Sequence, residues 1–320
     1  MTDWPEEIAA RESGRAIPDF FIVGHPKSGT TALYEMLRSH PQIFMPELKE
    51  TLFFARDELH PHLDENYPNP QTLDQYLALF EPAGEGQRKG EASPSYLRSR
   101  FAAQRIAALQ PDARIIAILR EPTSFIRSLH LELLKDFIET ERDLGRAMER
   151  EQCAAEEKPV LWYSIDRVEY AAQLRRYHEA FSPEQVLVLI YDDFRADNEG
   201  TLRQVLRHIG VEEDSPLEAS EANQTVMVRS PRMYGLMRSL YMGHGPAMRP
   251  AKAAIKAVTP RRLRHEGLRR VRDGAIYGTP PPPDEKLMRE LRLRYLPEVR
   301  AVSEYLGRDL VSLWGYDRLG

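Results

Sequence analysis

The sequence contains a single cysteine, Cys153, among its 320 residues. One cysteine excludes an intramolecular disulfide framework and fits a reducing compartment. The stretch around it, EREQCAAEEK, is charged and typical of a helix, so we interpret Cys153 as an ordinary surface or half-buried residue. A chain of this length can bury a core large enough to fold without cross-links.

The sequence also lacks a long apolar run. No stretch approaches the roughly 18 apolar residues of a membrane-spanning helix. The N-terminal stretch MTDWPEEIAARESGR has neither the basic start nor the apolar centre of a signal peptide. These absences predict a soluble, cytoplasmic protein without a transmembrane segment.

Positive charge is not in excess overall, although it is concentrated in one place. The formal net charge of -5 argues against nucleic acid as the principal partner. The segment 249–274 is nevertheless strongly basic, with Glu266 and Asp273 as its only acidic residues. Two interpretations of this segment stay open: a solvated helix face, or a lid or surface that meets an anionic ligand or anionic lipid.

Short apolar runs alternate with helical patterns along the chain. The runs 19–24, 112–120 and 185–194 are typical of buried parallel strands, and each is followed by apolar residues at helical spacing. This alternation predicts a three-layer, P-loop-like α/β domain with a central, mainly parallel sheet flanked by helices. We predict that residues 1–18 form an N-terminal extension and that residues 19–320 form one domain.

The first predicted strand leads into VGHPKSGTT, which is almost a Walker A loop. Gly24 and Gly29 have the required spacing, but Thr30 and Thr31 stand where lysine and serine or threonine are expected. Backbone N–H groups of such a loop and of the following helix bind a phosphate whatever the side chains are. The lysine, Lys27, lies inside the loop, beside the phosphate that the loop would hold.

The loop and several later segments resemble sulfotransferases that use 3′-phosphoadenosine 5′-phosphosulfate (PAPS). The similarity is to the branch that contains heparan-type and many bacterial sulfotransferases, and it extends from about Asp19 to Trp314. The resemblance implies transfer of a sulfuryl group from PAPS to a hydroxyl group. The segments that carry it are PKSGTT (26–31), KETLFF (49–54), GEASPSYL (90–97), ILREPTSFIRS (118–128), VLVLIYDDFRAD (186–197) and YLGRDL (305–310).

The resemblance assigns catalysis to Lys27 and Glu50. Lys27 would contact the oxygen that bridges the 5′-phosphate and the sulfate, where a cation neutralises charge on the leaving oxygen. Glu50 would be the base that deprotonates the acceptor hydroxyl. We expect the apolar residues after Glu50 to bury it, which would suit it to accept a proton.

The resemblance also assigns the ligands of the cofactor. Arg120 and Ser128, eight residues apart, would bind the 3′-phosphate, for which arginine provides a rigid charged fork. Arg229 or Arg232 would add a further contact. The residues assigned to the 5′-phosphate are Ser28, Gly29, Thr30 and Thr31, while Lys27 would contact the cofactor at the bridging oxygen.

Two departures from the heparan branch bear on the acceptor. Leu52 and Ala92 stand where that branch often has histidine and lysine, which favours a smaller or less charged acceptor: a small molecule, a lipid-like molecule or a carbohydrate. His60, His62 and His130 are alternative bases, which we interpret as solvated loop or helix residues, although His130 lies close to the 3′-phosphate motif.

Two other functions stay open. An ATP-dependent small-molecule kinase could use Asp192 and Asp193, which follow a predicted strand, as magnesium ligands. A non-catalytic nucleotide-binding protein could keep the same fold. Neither a Walker B motif nor a His/Cys cluster is evident, so we predict no requirement for a metal.

Overall fold

The computed structural model describes residues 14–59, 69–136, 138–153, 162–213, 227–228, 277–278 and 282–319. Five predictions therefore lie outside the described residues: those on His60, His62, Arg229, Arg232 and the basic segment 249–274. The chain divides into two compact units. The first contains residues 1–125, 158–223 and 289–320, and the second contains residues 126–157 and 224–288. The single-domain assignment stays a prediction.

A five-stranded sheet forms the centre of the first unit, with strand order β2-β3-β1-β4-β5. Every neighbouring pair is parallel, which confirms the predicted α/β class with a parallel sheet. β1 and β4 are apolar and almost fully buried, as expected for strands covered on both faces. The strands are β1 (Phe20–Gly24), β2 (Ile43–Phe44), β3 (Arg88–Ala92), β4 (Arg114–Leu119) and β5 (Val186–Ile190).

The helices follow the strands in alternation. Pro122 opens α5, where its missing N–H is harmless, and Gly210 closes α9 with φ 70°. The third predicted strand extended to Phe194, but β5 ends at Ile190 and a short helix begins with Tyr191. Asp192 and Asp193 suit the first turn of that helix, because carboxylates favour the N-terminal end of the helix dipole.

The helices have the following bounds: α1 (Thr30–Arg38), α2 (Arg56–Leu59), α3 (Leu73–Ala78), α4 (Ala102–Leu109), α5 (Pro122–Lys135), α6 (Leu144–Cys153), α7 (Tyr170–Ala180), α8 (Tyr191–Ala196), α9 (Asn198–Ile209), α10 (Glu285–Leu306) and α11 (Leu310–Leu313). Of these helices, none in the described part of the chain combines the length and the apolar run needed to cross a bilayer.

The core that positions the site lies between the sheet and helices α1 and α9. Apolar side chains from one face of β1 and β4 pack against the buried faces of both helices. Leu33, Met36 and Leu37 are spaced so that they share one face of α1, and all three lie in this core. Because α1 is packed in this way, the loop that joins it to β1 has both ends fixed.

The described part of the second unit includes α6 and a short antiparallel pair, β6 (Met227–Val228) with β7 (Tyr277–Gly278). Arg150 on α6 donates to the buried carboxylate of Glu139, with an Nη2–Oε2 distance of 2.6 Å. Cys153 at the end of α6 is exposed, which confirms its interpretation as a surface residue.

Candidate active site

The loop between β1 and α1 has the predicted strand, loop, helix arrangement. Gly29 caps α1 in the left-handed region, with φ 83°. A Cβ atom there would lie 2.9 Å from the Phe194 ring and 3.3 Å from the Tyr191 ring, so only glycine fits. Ser28 and Thr30 are buried and Lys27 is half-buried. The N-terminal N–H groups of α1 are therefore held at the carboxyl end of a central strand, where an anion can bind.

Arg120 follows β4 and contacts this loop directly. Its Nη1 donates to the carbonyl oxygen of Lys27 over 2.5 Å, and its Cζ lies 4.6 Å from the centre of the Tyr191 ring. Burial lowers the pKa of Arg120, although a guanidinium keeps its charge in proteins. Its buried Nε has no hydrogen-bond partner among the described residues. Arg120 and the loop therefore meet where β1 and β4 end, and one donor of the guanidinium stays without a partner in the described part of the chain.

Ser128 lies on α5 and is also buried, with 4% of its surface exposed. Within the part of the chain that the structure describes, its Oγ has no hydrogen-bond partner. Buried hydroxyl groups nearly always have a partner, so an orphan calls for an explanation such as a ligand that is absent. Both residues assigned to the 3′-phosphate thus carry a buried polar atom without a partner, and each fits the role.

Glu50 lies on a segment that runs beside the end of β3, and its N–H donates to the carbonyl oxygen of Ala92 over 3.0 Å. The expected burial of Glu50 is wrong, because its side chain is 51% exposed and pairs with Lys49. Positive φ at Glu50 (62°) and Leu52 (58°) turns the segment. As a result Thr51 and Leu52 enter the core and the Glu50 carboxylate faces outward.

Among the described non-glycine residues, positive φ occurs at Lys27, Glu50 and Leu52. The conformation is unfavourable for residues with a Cβ atom, and it concentrates at functional sites. Two of these three residues are the predicted catalytic pair. The backbone geometry therefore marks the same residues as the resemblance, although it says nothing of their chemistry.

Sequence reasoning missed two buried titratable groups. Burial raises the pKa of Glu91, at the end of β3, to about 7, and burial lowers the pKa of His25, next to Gly24, to about 4. The His25 Nε2 lies 2.7 Å from the carbonyl oxygen of Arg167, so it acts as a donor and holds the loop. The signal for Glu91 was its place inside GEASPSYL, a segment quoted for the resemblance without a role for its carboxylate.

The model of the sulfotransferase family matches residues 18–215. The chain belongs to this family. The matched range includes β1, the Lys27 loop, Glu50, Arg120 and all five strands of the sheet.

Individual sulfotransferases agree with this assignment. A crystal structure of a sulfotransferase from Alicyclobacillus acidocaldarius superposes with a TM-score of 0.67 at 26% identity, and covers 93% of this chain and 99% of that one. Carbohydrate sulfotransferase 15 from Mus musculus is 26% identical over 278 residues, which cover 68% of this chain. Heparan sulfate glucosamine 3-O-sulfotransferase 3A1 from the same species is 26% identical over 200 residues. This chain spans 47% of the length of each of these two relatives, about half.

The carboxylates that a kinase would need for magnesium make other contacts in this chain. Asp192 accepts from the Trp314 indole N–H over 3.0 Å, and Asp193 pairs with the Arg308 guanidinium, with an Nη2–Oδ1 distance of 2.8 Å. Across the described ranges, no group of three or more acidic, His or Cys residues could hold a metal ion. The kinase alternative is not favoured.

His130, an alternative base, is buried on α5. Its Nε2 lies 3.1 Å from the carbonyl oxygen of Arg142, and burial lowers its pKa. The interpretation of His130 as a solvated residue is therefore wrong, and a histidine that is buried and bonded to the backbone in this way suits a structural role.

Proposed function

We propose that this sulfotransferase moves a sulfuryl group from PAPS to the hydroxyl of a small-molecule, lipid-like or carbohydrate acceptor. PAPS supplies the activated sulfate, and its product is 3′,5′-adenosine diphosphate (PAP). The observation that carries the proposal is the contact between Arg120 and the Lys27 carbonyl oxygen, with the Arg120 Nε left without a partner among the described residues. This contact joins the phosphate loop to the residue assigned to the 3′-phosphate.

The loop and α1 would hold the 5′-phosphate. Backbone N–H groups from Ser28 to Thr31 lie at the helix N-terminus, where the dipole favours negative charge. The hydroxyl groups of Ser28, Thr30 and Thr31 are further donors. Arg120 and Ser128 would bind the 3′-phosphate, and Arg229 or Arg232 stays proposed as a further contact.

Lys27 and Glu50 would carry out the chemistry. Glu50, exposed and next to Lys49, would take the proton from the acceptor hydroxyl, while Lys27 stabilises charge on the oxygen from which the sulfuryl group departs. Transfer is in line, so the attacking and leaving oxygens lie on opposite sides of sulfur. A sulfuryl group carries less negative charge than a terminal phosphoryl group, and we therefore expect turnover to persist in EDTA.

Two buried apolar residues support an acceptor with little charge. Leu52 and Ala92 are 8% and 2% exposed, so neither position offers a polar group to an acceptor. The carbohydrate relatives support a sugar hydroxyl as one acceptor to test. A cytoplasmic location stays a proposal that rests on the single cysteine of the sequence.

The test is calorimetric titration with PAP, 5′-AMP and ATP in EDTA. Loss of a well-paired phosphate costs a few kcal/mol, so 5′-AMP should bind about 10²-fold more weakly than PAP. Arg120→Ala should abolish the preference for PAP. Arg114→Ala is the matched control, because Arg114 begins the same strand that Arg120 follows and donates to Glu184.

Equal binding of the three nucleotides, or tight binding of ATP only with magnesium, would overturn the proposal and reopen the kinase alternative. A strict preference for PAP without turnover on phenol, fatty-alcohol and disaccharide acceptors would favour the non-catalytic alternative. Turnover on one of these classes identifies the acceptor.

A further inference from the structure

Glu91 is a buried carboxylate beside the segment that carries Glu50. It lies near the end of β3 with 1% of its surface exposed, so it cannot touch a substrate. Charged side chains are seldom buried in this way unless they are paired or hydrogen-bonded. The mechanism above gives Glu91 no part, and the reason for its burial lies in what it contacts.

One carboxylate oxygen of Glu91 accepts two hydroxyl groups. The Ser93 Oγ donates to its Oε1 over 2.5 Å, and the Thr51 Oγ1 donates to the same oxygen over 3.0 Å. Loss of this acceptor would leave two buried hydroxyl groups without a partner for their protons, which is costly. Thr51 directly follows Glu50, so the carboxylate holds the residue next to the proposed base.

The same hydroxyl groups extend the network to the backbone. The Leu52 N–H donates to the Ser93 Oγ over 3.2 Å, and the Phe54 N–H donates to the Tyr96 hydroxyl over 3.4 Å. The Tyr96 hydroxyl lies 3.0 Å from the Thr51 Oγ1, and it donates there because the Thr51 proton goes to Glu91. The Phe53 N–H donates to the Thr51 Oγ1 itself over 3.4 Å. Three chains of hydrogen bonds therefore run from the backbone of residues 52–54 to one oxygen atom.

This part of the backbone needs such support because of its conformation. Glu50 and Leu52 both have positive φ, which non-glycine residues keep only where their surroundings determine it. The Asn69 Nδ2 reinforces the turn by donating to the carbonyl oxygens of Glu50 and Thr51, over 3.2 and 2.9 Å. The strained turn is thus held through its carbonyl groups by Asn69 and through its N–H groups by the Glu91 network.

We propose that Glu91 is a positioning residue, which fixes the turn at residues 50–52 by accepting the Thr51 and Ser93 hydroxyls and so presents the Glu50 carboxylate to the acceptor. The proposal rests on the proposed function in one respect, the role of Glu50 as the base. Glu91 would stabilise the turn at residues 50–52 whether or not Glu50 is the base. Hydrogen-bond acceptance by Oε1 is the property that counts.

Three variants distinguish the effect of hydrogen-bond acceptance by the Glu91 side chain from the effects of its charge and its volume. Glu91→Gln keeps an oxygen acceptor without the charge, and Glu91→Ala removes both. Thr51→Val deletes one donor with little change in shape, so it tests the network even where Glu91→Ala fails to fold. Asp197→Ala is the control for general destabilisation, because it removes the cap of α9, whose carboxylate accepts from the Gly200 N–H.

The primary measurement is amide hydrogen exchange at residues 52–54, with the affinity for PAP and the kcat and KM for PAPS turnover measured alongside. 4-Nitrophenol serves as the probe acceptor. Glu91→Ala and Thr51→Val should speed exchange of these amides by about tenfold or more. Thr51→Val removes the hydroxyl that accepts from the Phe53 N–H, and Glu91→Ala removes the acceptor that holds the Thr51 and Ser93 hydroxyls in place. The affinity of both variants for PAP should stay within about threefold of the wild-type value, and their turnover should be impaired mainly through a lower kcat. Glu91→Gln should restore both exchange and kcat to near the wild-type values.

Unchanged exchange in Glu91→Ala and Thr51→Val would overturn the proposal. So would equal acceleration in Asp197→Ala, which would indicate general loosening, or a Glu91→Gln variant as impaired as Glu91→Ala. A wild-type protein without preference for PAP would instead count against the proposed function, while exchange at residues 52–54 would still report on Glu91.

Discussion

Lys27 lies three residues before the position that lysine takes in an ordinary phosphate loop. Its φ of 61° directs the backbone so that its carbonyl oxygen accepts from Arg120. The residue thus has two separable parts: a backbone that connects the loop to Arg120, and an ammonium group that we propose acts in the reaction.

Lys27→Ala should therefore remove the amine and spare the cofactor site. We expect kcat for PAPS turnover to fall about 10²- to 10³-fold, because a cation near the leaving oxygen acts mainly in the transition state. PAP, which carries no sulfate, should bind within a few-fold of the wild type. Steady-state kinetics measures the fall in kcat, and calorimetry measures the affinity for PAP. Lys89→Ala is the control, because Lys89 pairs with Asp19 near the start of β1.

The sequence could predict which residues form the candidate site better than whether each side chain is buried or exposed. The roles of Lys27 and Arg120 followed from the resemblance, and both residues lie where parallel strands end, the edge at which such sheets bind ligands. The exposure of Glu50 could not be predicted, because positive φ at two non-glycine residues reverses which side chains point inward. Glu91 was missed for a related reason: a carboxylate in a polar strand normally faces water.

At the scale of elements, Gly29 joins the loop to α1 and packs under α8. Its left-handed φ and the nearby rings of Phe194 and Tyr191 both oppose a side chain. The packing of the loop between β1 and α1 therefore depends on residues that follow β5, a strand separated from β1 by β4 in the sheet.

Gly29→Ala should destabilise the first unit by about 2 to 4 kcal/mol and weaken PAP binding, since backbone strain and a ring clash add together. Gly86→Ala separates the two causes. Its φ is 77° but its Cβ would meet nothing within 4 Å, so it should show the strain alone, about 1 to 2 kcal/mol. Urea unfolding and PAP titration of both variants provide the comparison. Equal losses of stability in the two variants would show that the Phe194 and Tyr191 rings move aside for the added methyl group.

Elements with a clear apolar pattern were predictable and polar ones were not. β1, β4 and β5 are runs of apolar residues, whereas β3 reads RKGEA and gives no strand signal. β3 exists because β1 and β2 pair with it on either side. Proline usually kinks or ends a helix, yet α10 runs unbroken through Pro297 from Glu285 to Leu306.

At the scale of the whole molecule, buried titratable groups make stability depend on pH. The folded-state pKa of Glu91 is raised from 4.5 to about 7, mainly by burial, with Ser93, Thr51, Tyr96 and Lys49 opposing the shift. The favourable contribution of neutral Glu91 is therefore fully present below pH 4.5 and is lost as the pH rises through about 7. Above that pH the fold carries a buried, ionised carboxylate.

Glu91→Gln should gain stability relative to the wild type as the pH rises from 4.5 to 7.5. A shift of this size corresponds to about 3 kcal/mol, and the variant has no group to titrate at that position. The difference between the two proteins in urea unfolding, measured at several pH values, isolates Glu91 from every other group. A difference that does not change with pH would contradict the assignment of the raised pKa.

The position of β1 in the sheet has a consequence for synthesis on the ribosome. β1 is the first strand in the chain, yet its neighbours are β3 and β4, so it has no partner until Ala92 and then Leu119 have been made. Phe194 and Tyr191, which cover Gly29, emerge later still. Contacts that close such long stretches of chain slow folding. The loop between β1 and α1 is therefore translated early and assembled late, and a nascent chain that stops before β4 lacks the strands and rings that hold it in place.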